Sequence, residues 1–285
     1  MPVDYLVTGA LGQLGRAVMA DVAARGQTAC ATDIPDLCVE DIDSVRRWIG
    51  DQEPRTVLHC GAWTDVDGCE QQPDRADLIN GAGTANVAKA CAEAGIGLVY
   101  ISTDFVFDGS GERPYLETDA PDPISAYGRS KLLGEQAVLE QGRGDFYVMR
   151  TSWVFGPGGK NFPAAILARA RSGQPLRVVT DQVGRPTMTH DLAAAMLDLC
   201  TSGAEAGLYH ASNEGVCSWH EFAVDVVAAA GLDIEVGTMH SSELDRPAPR
   251  PAYSVLDTSR LSAARGAPMP HYRDALRRYI EEETK

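Results

Sequence analysis

Short runs of β-branched and aromatic residues alternate along the chain with longer stretches in which apolar residues return every three or four positions. Val3 to Val7, Thr28 to Thr32, Thr56 to Cys60, Leu98 to Ser102 and Phe146 to Arg150 have the length and composition of strands. Between the first two, Leu14, Val18 and Val22 recur at spacings of four and predict a helix ending near Arg25. Ser44 to Ile49, Arg75 to Ala94 and Ser125 to Gln141 predict three more, the second long and alanine-rich. Strand–helix units repeated at this size predict an α/β fold, a doubly wound parallel sheet of the Rossmann type.

After Trp153 the alternation loosens. Asn161 to Ser172, Asp191 to Thr201, Ser218 to Ala230 and Tyr272 to Glu283 predict helices, and Leu176 to Val179 one short strand. Asp181 to Thr187 is turn-rich, Leu208 to Ala211 lies between helices, and Asp245 to Pro251 is rich in proline. The expected organisation is a dinucleotide-binding domain over 1–155 and a smaller substrate-binding lobe over 156–285, interwoven with the first. Gly109 to Pro123, full of Gly, Pro, Asp and Glu, reads as a loop able to act as a lid.

Composition then excludes whole classes of function. The 285 residues, 44% hydrophobic and 23% charged, suit a soluble globular protein with a large core. A net charge of −15 argues against a nucleic-acid partner. An anionic small ligand would need local positive charge or helix N-termini. Seven cysteines, with no C-x-x-C pair among them, predict neither a disulfide framework nor a metal site, and place the chain in the cytoplasm. The first strand begins too early for a signal peptide, and no apolar run approaches the roughly 18 residues of a membrane span.

The candidate chemistry lies where strands end. The first strand runs straight into Thr8-Gly9-Ala10-Leu11-Gly12-Gln13-Leu14-Gly15 and then the first helix. Gly9, Gly12 and Gly15 permit a tight turn and close backbone approach to a pyrophosphate, which the helix N-terminus attracts. Asp33, at the end of the second strand and roughly 20 residues past the glycines, can accept hydrogen bonds from an adenosine ribose. Ile34, Pro35 and Asp36 follow it, so a 2′-phosphate would meet negative charge, and NADH is favoured over NADPH.

Tyr127 and Lys131 are four residues apart, which on a helix puts a phenol and an ammonium on one face. Ser102 and Thr103 leave the carboxyl end of a strand, where open α/β sheets bind ligands. Reducing a ketone leaves an alkoxide that needs a proton, and Tyr127 can supply it. The phenol pKa near 10 is high for this work, and a nearby ammonium lowers it. Thr103 can hold the carbonyl oxygen, and Lys131 can also bind the nicotinamide ribose.

These residues sit in a pattern that runs through nearly the whole chain. It includes TGALGQLG (8–15), WTDVDGCE (63–70), STDFVFDG (102–109), PYLETD (114–119), YGRSKLLGE (127–135), RTSWVFG (150–156), KNF (160–162), DQVGRPT (181–187), SWHEFA (218–223) and RPAYSVLDTSRL (250–261). The pattern resembles the extended short-chain dehydrogenase/reductases that act on nucleotide sugars, and among them the branch that reduces 4-keto-6-deoxy sugars. TGALGQLG and YGRSKLLGE are shared by many short-chain reductases; RTSWVFG, DQVGRPT and RPAYSVLD in that order are far more specific.

The resemblance implies Thr103, Tyr127 and Lys131 as the catalytic set. It places Gly12, Gln13, Leu14, Asp33, Gly61, Ala62, Trp63 and Asn80 around NADH or NADPH, and Thr103, Asp104 and Trp153 against the sugar. It implies a nucleotide-sugar partner, reduction of the C4 ketone of a dTDP-4-keto-6-deoxyhexose to give dTDP-L-rhamnose or a related deoxysugar, and a monomer or homodimer. His59, Cys60 and Cys38 depart from residues usual in the family. Phe105 stands where related dehydratases carry a proton-shuttling Glu, which counts against dehydration. The same fold also serves a non-catalytic subunit of methionine adenosyltransferase, but this chain keeps the complete proton relay. Arg185 and Arg250 are candidates for a diphosphate. His190, His210, His220, His240 and His271 read as structural or exposed.

Overall fold

A computed structural model describes residues 2–283; Met1 and the last two residues of the expected second lobe, Thr284 and Lys285, lie outside them. The first half holds β1 (Tyr5–Thr8), α1 (Gln13–Ala24), β2 (Ala29–Thr32), α2 (Ile42–Gln52), β3 (Thr56–His59), α3 (Val66–Gln71), α4 (Pro73–Ala76), α5 (Gly83–Ala94), β4 (Gly97–Thr103), α6 (Ala126–Leu139) and β5 (Phe146–Thr151). The second half adds β6 (Val154–Phe155), α7 (Phe162–Arg171), β7 (Leu176–Val179), β8 (Val183–Gly184), β9 (Thr187–Met188) and α8 (Thr189–Thr201). It continues with β10 (Gly207–His210), β11 (Cys217–Ser218), α9 (Trp219–Ala229), β12 (Val236–Met239), α10 (Ser259–Arg265) and α11 (Tyr272–Glu283).

Six parallel strands form the central sheet in the order β10-β5-β4-β3-β1-β2. Tyr5, Val7, Leu58, Val99 and Met149 face one side, packed with residues of α1 and α8. Leu6, Val57, Leu98, Tyr100 and Val148 face the other, packed with residues of α2, α5 and α6. A strand covered on both faces has no polar side to show, which is why these strands read as unbroken apolar runs. Each large side chain buried this way contributes about 1.5–3 kcal/mol. The chain leaves β1 toward β2 and then returns to the other side of β1 as β3. That reversal opens a crevice at the carboxyl ends of β1 and β3, the place where doubly wound sheets take ligands.

A second core gathers Phe155, Ile166 and Leu167 of α7, Phe222 and Val226 of α9, and Leu276 and Tyr279 of α11. The halves interweave: Leu192, Met196, Tyr209 and Leu261, from α8, β10 and α10, belong to the first core.

Several elements differ from expectation. The helix expected from Arg75 to Ala94 is interrupted by a π-helical segment, Asp77–Ala82, between α4 and α5. β10, α10 and β12 were not foreseen; the two strands are four residues each and the helix seven, too short for a pattern to declare itself. The loop from 109 to 123 is pinned at its centre. Tyr115 N donates to Val255 O at 2.8 Å, Asp257 N donates to Tyr115 O at 2.8 Å, and the Tyr115 ring stacks on Phe107 at 4.0 Å.

Candidate active site

The crevice is built from glycine. Gly9 has φ +65°, and a Cβ there would stand 2.6 Å from Gly61 N across the switch point, so only glycine lets the two loops close on each other. Gly12 forms the N-cap of α1 without any side-chain cap, leaving the first helical N–H groups free for an anion. Gly15 is buried against the turn, Leu14 is half-buried beside it, and Gln13 Nε2 donates to Gly156 O at 2.9 Å. Asp33 accepts from Leu11 N and from Ile34 N, both at 2.8 Å, which sets its carboxylate at the lip of the glycine turn. Exposed Leu11 and Ile34 flank it. An open helix N-terminus beside a close-packed glycine turn, with a carboxylate at its edge, fits the pyrophosphate and ribose of a dinucleotide.

Gly61, Ala62 and Trp63 form the opposite wall, and Asn80 holds them. Its Oδ1 accepts from Trp63 N at 2.8 Å, while its Nδ2 donates to Trp63 O and to Ser130 Oγ, each at 3.0 Å. Asn80 is 1% exposed and lies in the π-helical segment, whose wider turn lets one side chain reach the loop and α6 together. Sequence placed Asn80 beside the cofactor; its amide hydrogens are spent on the protein itself.

Thr103 ends β4, and Tyr127 and Lys131 stand on α6, with Lys131 against Tyr100 of that strand. Ser125 caps that helix, accepting from Gly128 N, and Gly128 lets the helix sit directly on Phe105, whose carbonyl a Cβ would meet at 2.1 Å. Tyr127 is within hydrogen-bonding reach of Thr103, and burial holds its phenol well above the usual range, hence protonated. The Lys131 ammonium lies 4.2 Å from the centre of the Tyr100 ring. Burial pulls its pKa down to about 7, against the pull of Glu135 and Cys60. Asp104 is 2% exposed; burial raises its carboxyl to about 7, against hydrogen bonds from Ser254 and Thr103. Phe105 meets the Tyr127 ring edge-on at 5.8 Å and brings no proton to the site. His59, between the hydroxyls of Thr8 and Thr84, is kept neutral by burial, which lowers its pKa to about 3.

Beside this group a cavity of about 410 Å³ opens between Phe105, Trp153 and the second lobe. Phe162, Ile166, Val178 and Trp219 give it apolar walls, and Arg169, Arg177, Arg246 and Arg250 line it with positive charge that the acidic composition did not foretell. Trp153 adopts φ +47°, a strained backbone for a non-glycine residue, and its indole stacks on Trp219 at 3.6 Å. Arg250 is held by Asp67 at 2.9 Å. Arg185 is not on the wall: its side chain points to Thr258 Oγ1 at 3.3 Å and to Glu214 at 3.5 Å. Arg246, Trp219 and Phe162 were not singled out from sequence. SWHEFA, KNF and the proline-rich run around Arg246 carried the only signal.

Among the described residues no group of His, Cys, Asp and Glu is arranged to hold a metal, and no helix is long and apolar enough to cross a membrane. Residues 3–285 match the family model described as the RmlD substrate binding domain. A dTDP-4-dehydrorhamnose reductase from Mycolicibacterium smegmatis is 42% identical over 97% of this chain and 84% of its own length. A dTDP-4-keto-6-deoxy-D-glucose reductase from Streptomyces niveus is 37% identical over 95% of this chain and 94% of its own. The crystal structure of a dTDP-4-dehydrorhamnose reductase from Bacillus anthracis in complex with NADP superposes with a TM-score of 0.94, at 35% identity over 99% of this chain and 100% of that one. In sequence and in fold, the chain belongs to the RmlD substrate binding domain family.

Proposed function

We propose that the chain is a nicotinamide-dependent reductase of the C4 ketone of a dTDP-4-keto-6-deoxyhexose, converting dTDP-4-dehydro-β-L-rhamnose to dTDP-β-L-rhamnose. What supports this is that Tyr127 and Lys131 stand one helical turn apart on α6, against the ends of β4 and β3, beside a cavity with aromatic and arginine walls. Gly9, Gly12, Gln13, Leu14, Gly15, Asp33 and the Gly61–Trp63 wall would hold the cofactor, whose reduced nicotinamide supplies a hydride to the ketone carbon when bound. Thr103 positions the ketone oxygen through its hydroxyl. Tyr127 gives that oxygen its phenolic proton; burial keeps the phenol protonated until then, and the Lys131 ammonium eases the proton's release. Lys131 stabilises the phenolate left behind and binds the ribose hydroxyls. Trp153 and Asp104 orient the sugar, while Arg246 and Arg250 face the nucleotide's diphosphate.

NADH is the proposed preference, because both oxygens of Asp33 are fixed at the turn and no basic side chain follows it for a 2′-phosphate. The proposed setting is the cytoplasm. A second substrate, a 4-keto-6-deoxy sugar of another deoxysugar pathway, fits the same cavity and is favoured by the Streptomyces niveus likeness. Following NADH and NADPH oxidation with a panel of dTDP-4-keto-6-deoxyhexoses separates these readings. Binding of cofactor with turnover of none of the sugars would refute the reductase function.

A further inference from the structure

Glu135 lies one helical turn beyond Lys131 on α6 and is 1% exposed. Its Oε1 accepts from the Ser102 hydroxyl at 2.5 Å and from Arg150 Nε at 2.8 Å; its Oε2 accepts from Arg150 Nη2 at 2.6 Å. Ser102 directly precedes Thr103 on β4, and Arg150 is its register partner on β5. One carboxylate thus ties the helix that carries Tyr127 and Lys131 to the strand that ends in Thr103. As a source of stability alone the arrangement is unpromising, since a buried ion pair barely recovers its desolvation and an apolar pair of similar volume would serve as well. A fixed charge beside Lys131 gives it a different purpose.

We propose that Glu135, clamped by Ser102 and Arg150, is a positioning residue for the reduction, setting Lys131 against Tyr100 and the end of β3 and holding its ammonium in the charged form. The inference rests on the reductase function above. The groups facing Lys131 are Tyr100 from β4, His59 and Cys60 from the end of β3, and Glu135 from its own helix, with Tyr127 one turn before it; Arg150 reaches in from β5 behind Glu135. His59 is neutral at ordinary pH, the Cys60 thiol is pushed up to about 12 and Tyr127 keeps its proton, each chiefly through burial. Glu135 is therefore the one counter-charge in this group. Without it, Lys131 loses its proton at lower pH, because burial is then less opposed.

The test measures kcat against pH across the neutral and alkaline range for the full-length wild type, Glu135→Gln, Arg150→Met and the double variant, with cofactor affinity followed in parallel. Glu135→Gln should move the alkaline limb of kcat down by ~1 pH unit, with on the order of a tenfold loss above it. Arg150→Met keeps the carboxylate and removes the cation behind it, so kcat should fall and the limb should not move down. A role in folding alone would lower activity in both without moving the limb. Coincidence of the Glu135→Gln limb with that of the wild type overturns the inference. If Glu135→Gln fails to fold, the double variant decides, since it leaves no lone buried charge; its limb must also move down, and an unmoved limb overturns the inference. A wild type that binds cofactor but reduces none of the sugars refutes the reductase function separately. The charge effect is then read as the same downward shift in the pH dependence of cofactor affinity, and its absence there overturns the inference.

Discussion

Replacing Asn80 by Ala removes three hydrogen bonds at once, one buried and two half-buried. Ser130 keeps its bond to the Tyr127 carbonyl at 2.9 Å and the Trp63 C=O keeps the Cys69 thiol at 3.6 Å, so the loss falls chiefly on the N–H of Trp63. A buried polar group left unpaired costs about 1–3 kcal/mol, and half-burial of Trp63 lets water recover part of it, so the sum is ~1–3 kcal/mol. The wall formed by Gly61, Ala62 and Trp63 loosens, and cofactor affinity falls indirectly, by less than roughly tenfold, or about 1.4 kcal/mol. Urea unfolding with and without saturating NADH or NADPH, together with calorimetric titration of the cofactor, measures both quantities. Cofactor should return part of the lost stability by binding the native state. An unchanged unfolding midpoint, with affinity lowered more than ~100-fold, would show that Asn80 touches the cofactor and does not act by holding the wall.

Tyr127→Phe should lower kcat by ~10²–10⁴-fold and leave cofactor affinity within a few-fold of wild type; retained turnover would remove Tyr127 as the proton donor. Gly9→Ala places a methyl 2.6 Å from Gly61 N at φ +65°, so cofactor binding by calorimetry should be lost together with ~1–3 kcal/mol of stability, and normal binding would show that the turn is not the cradle. The Asp104 carboxyl, raised from 3.8 to about 7, binds more protons folded than unfolded between those values, so it subtracts stability as pH rises from about 4 to about 7. Thermal midpoints of Asp104→Asn should lack that component, and parallel wild-type and variant curves over this window would refute it.

Much of the frame was legible in the chain. β1 through β5 and α1 announced themselves because apolar runs of strand length alternate with helical periods, and burial of β1, β3, β4 and β5 on both faces keeps the middles of those strands apolar. The glycine turn was legible for a similar reason: its backbone demand is local, and only glycine meets it at Gly9. The spacing of Tyr127 and Lys131 placed both on one face of α6, but the seating of that helix against β4 and β5 involves Gly128 and the Ser102–Glu135–Arg150 tie, which join three elements. The break at Asp77–Ala82 was hidden because Ala76, Leu78, Ile79 and Ala82 carry a helical composition through it, while the partners of Asn80, Trp63 and Ser130, are far off in sequence.

Local chemistry along the chain is enough to establish a doubly wound sheet, a glycine cradle at its first turn, and a phenol and ammonium poised on one helix. It could not tell Arg185 from Arg250. Both are arginines near proline in loops, yet one is spent on Glu214 and Thr258, and the other is held by Asp67 at the cavity wall. Nor could it show that Asn80 faces inward to hold a loop, or that β10 completes the sheet beside β5. Periodicity and turn chemistry are written in neighbouring residues. Which polar group meets which is decided only when segments distant in sequence pack and exclude water, and there the tertiary structure alone assigns the partners.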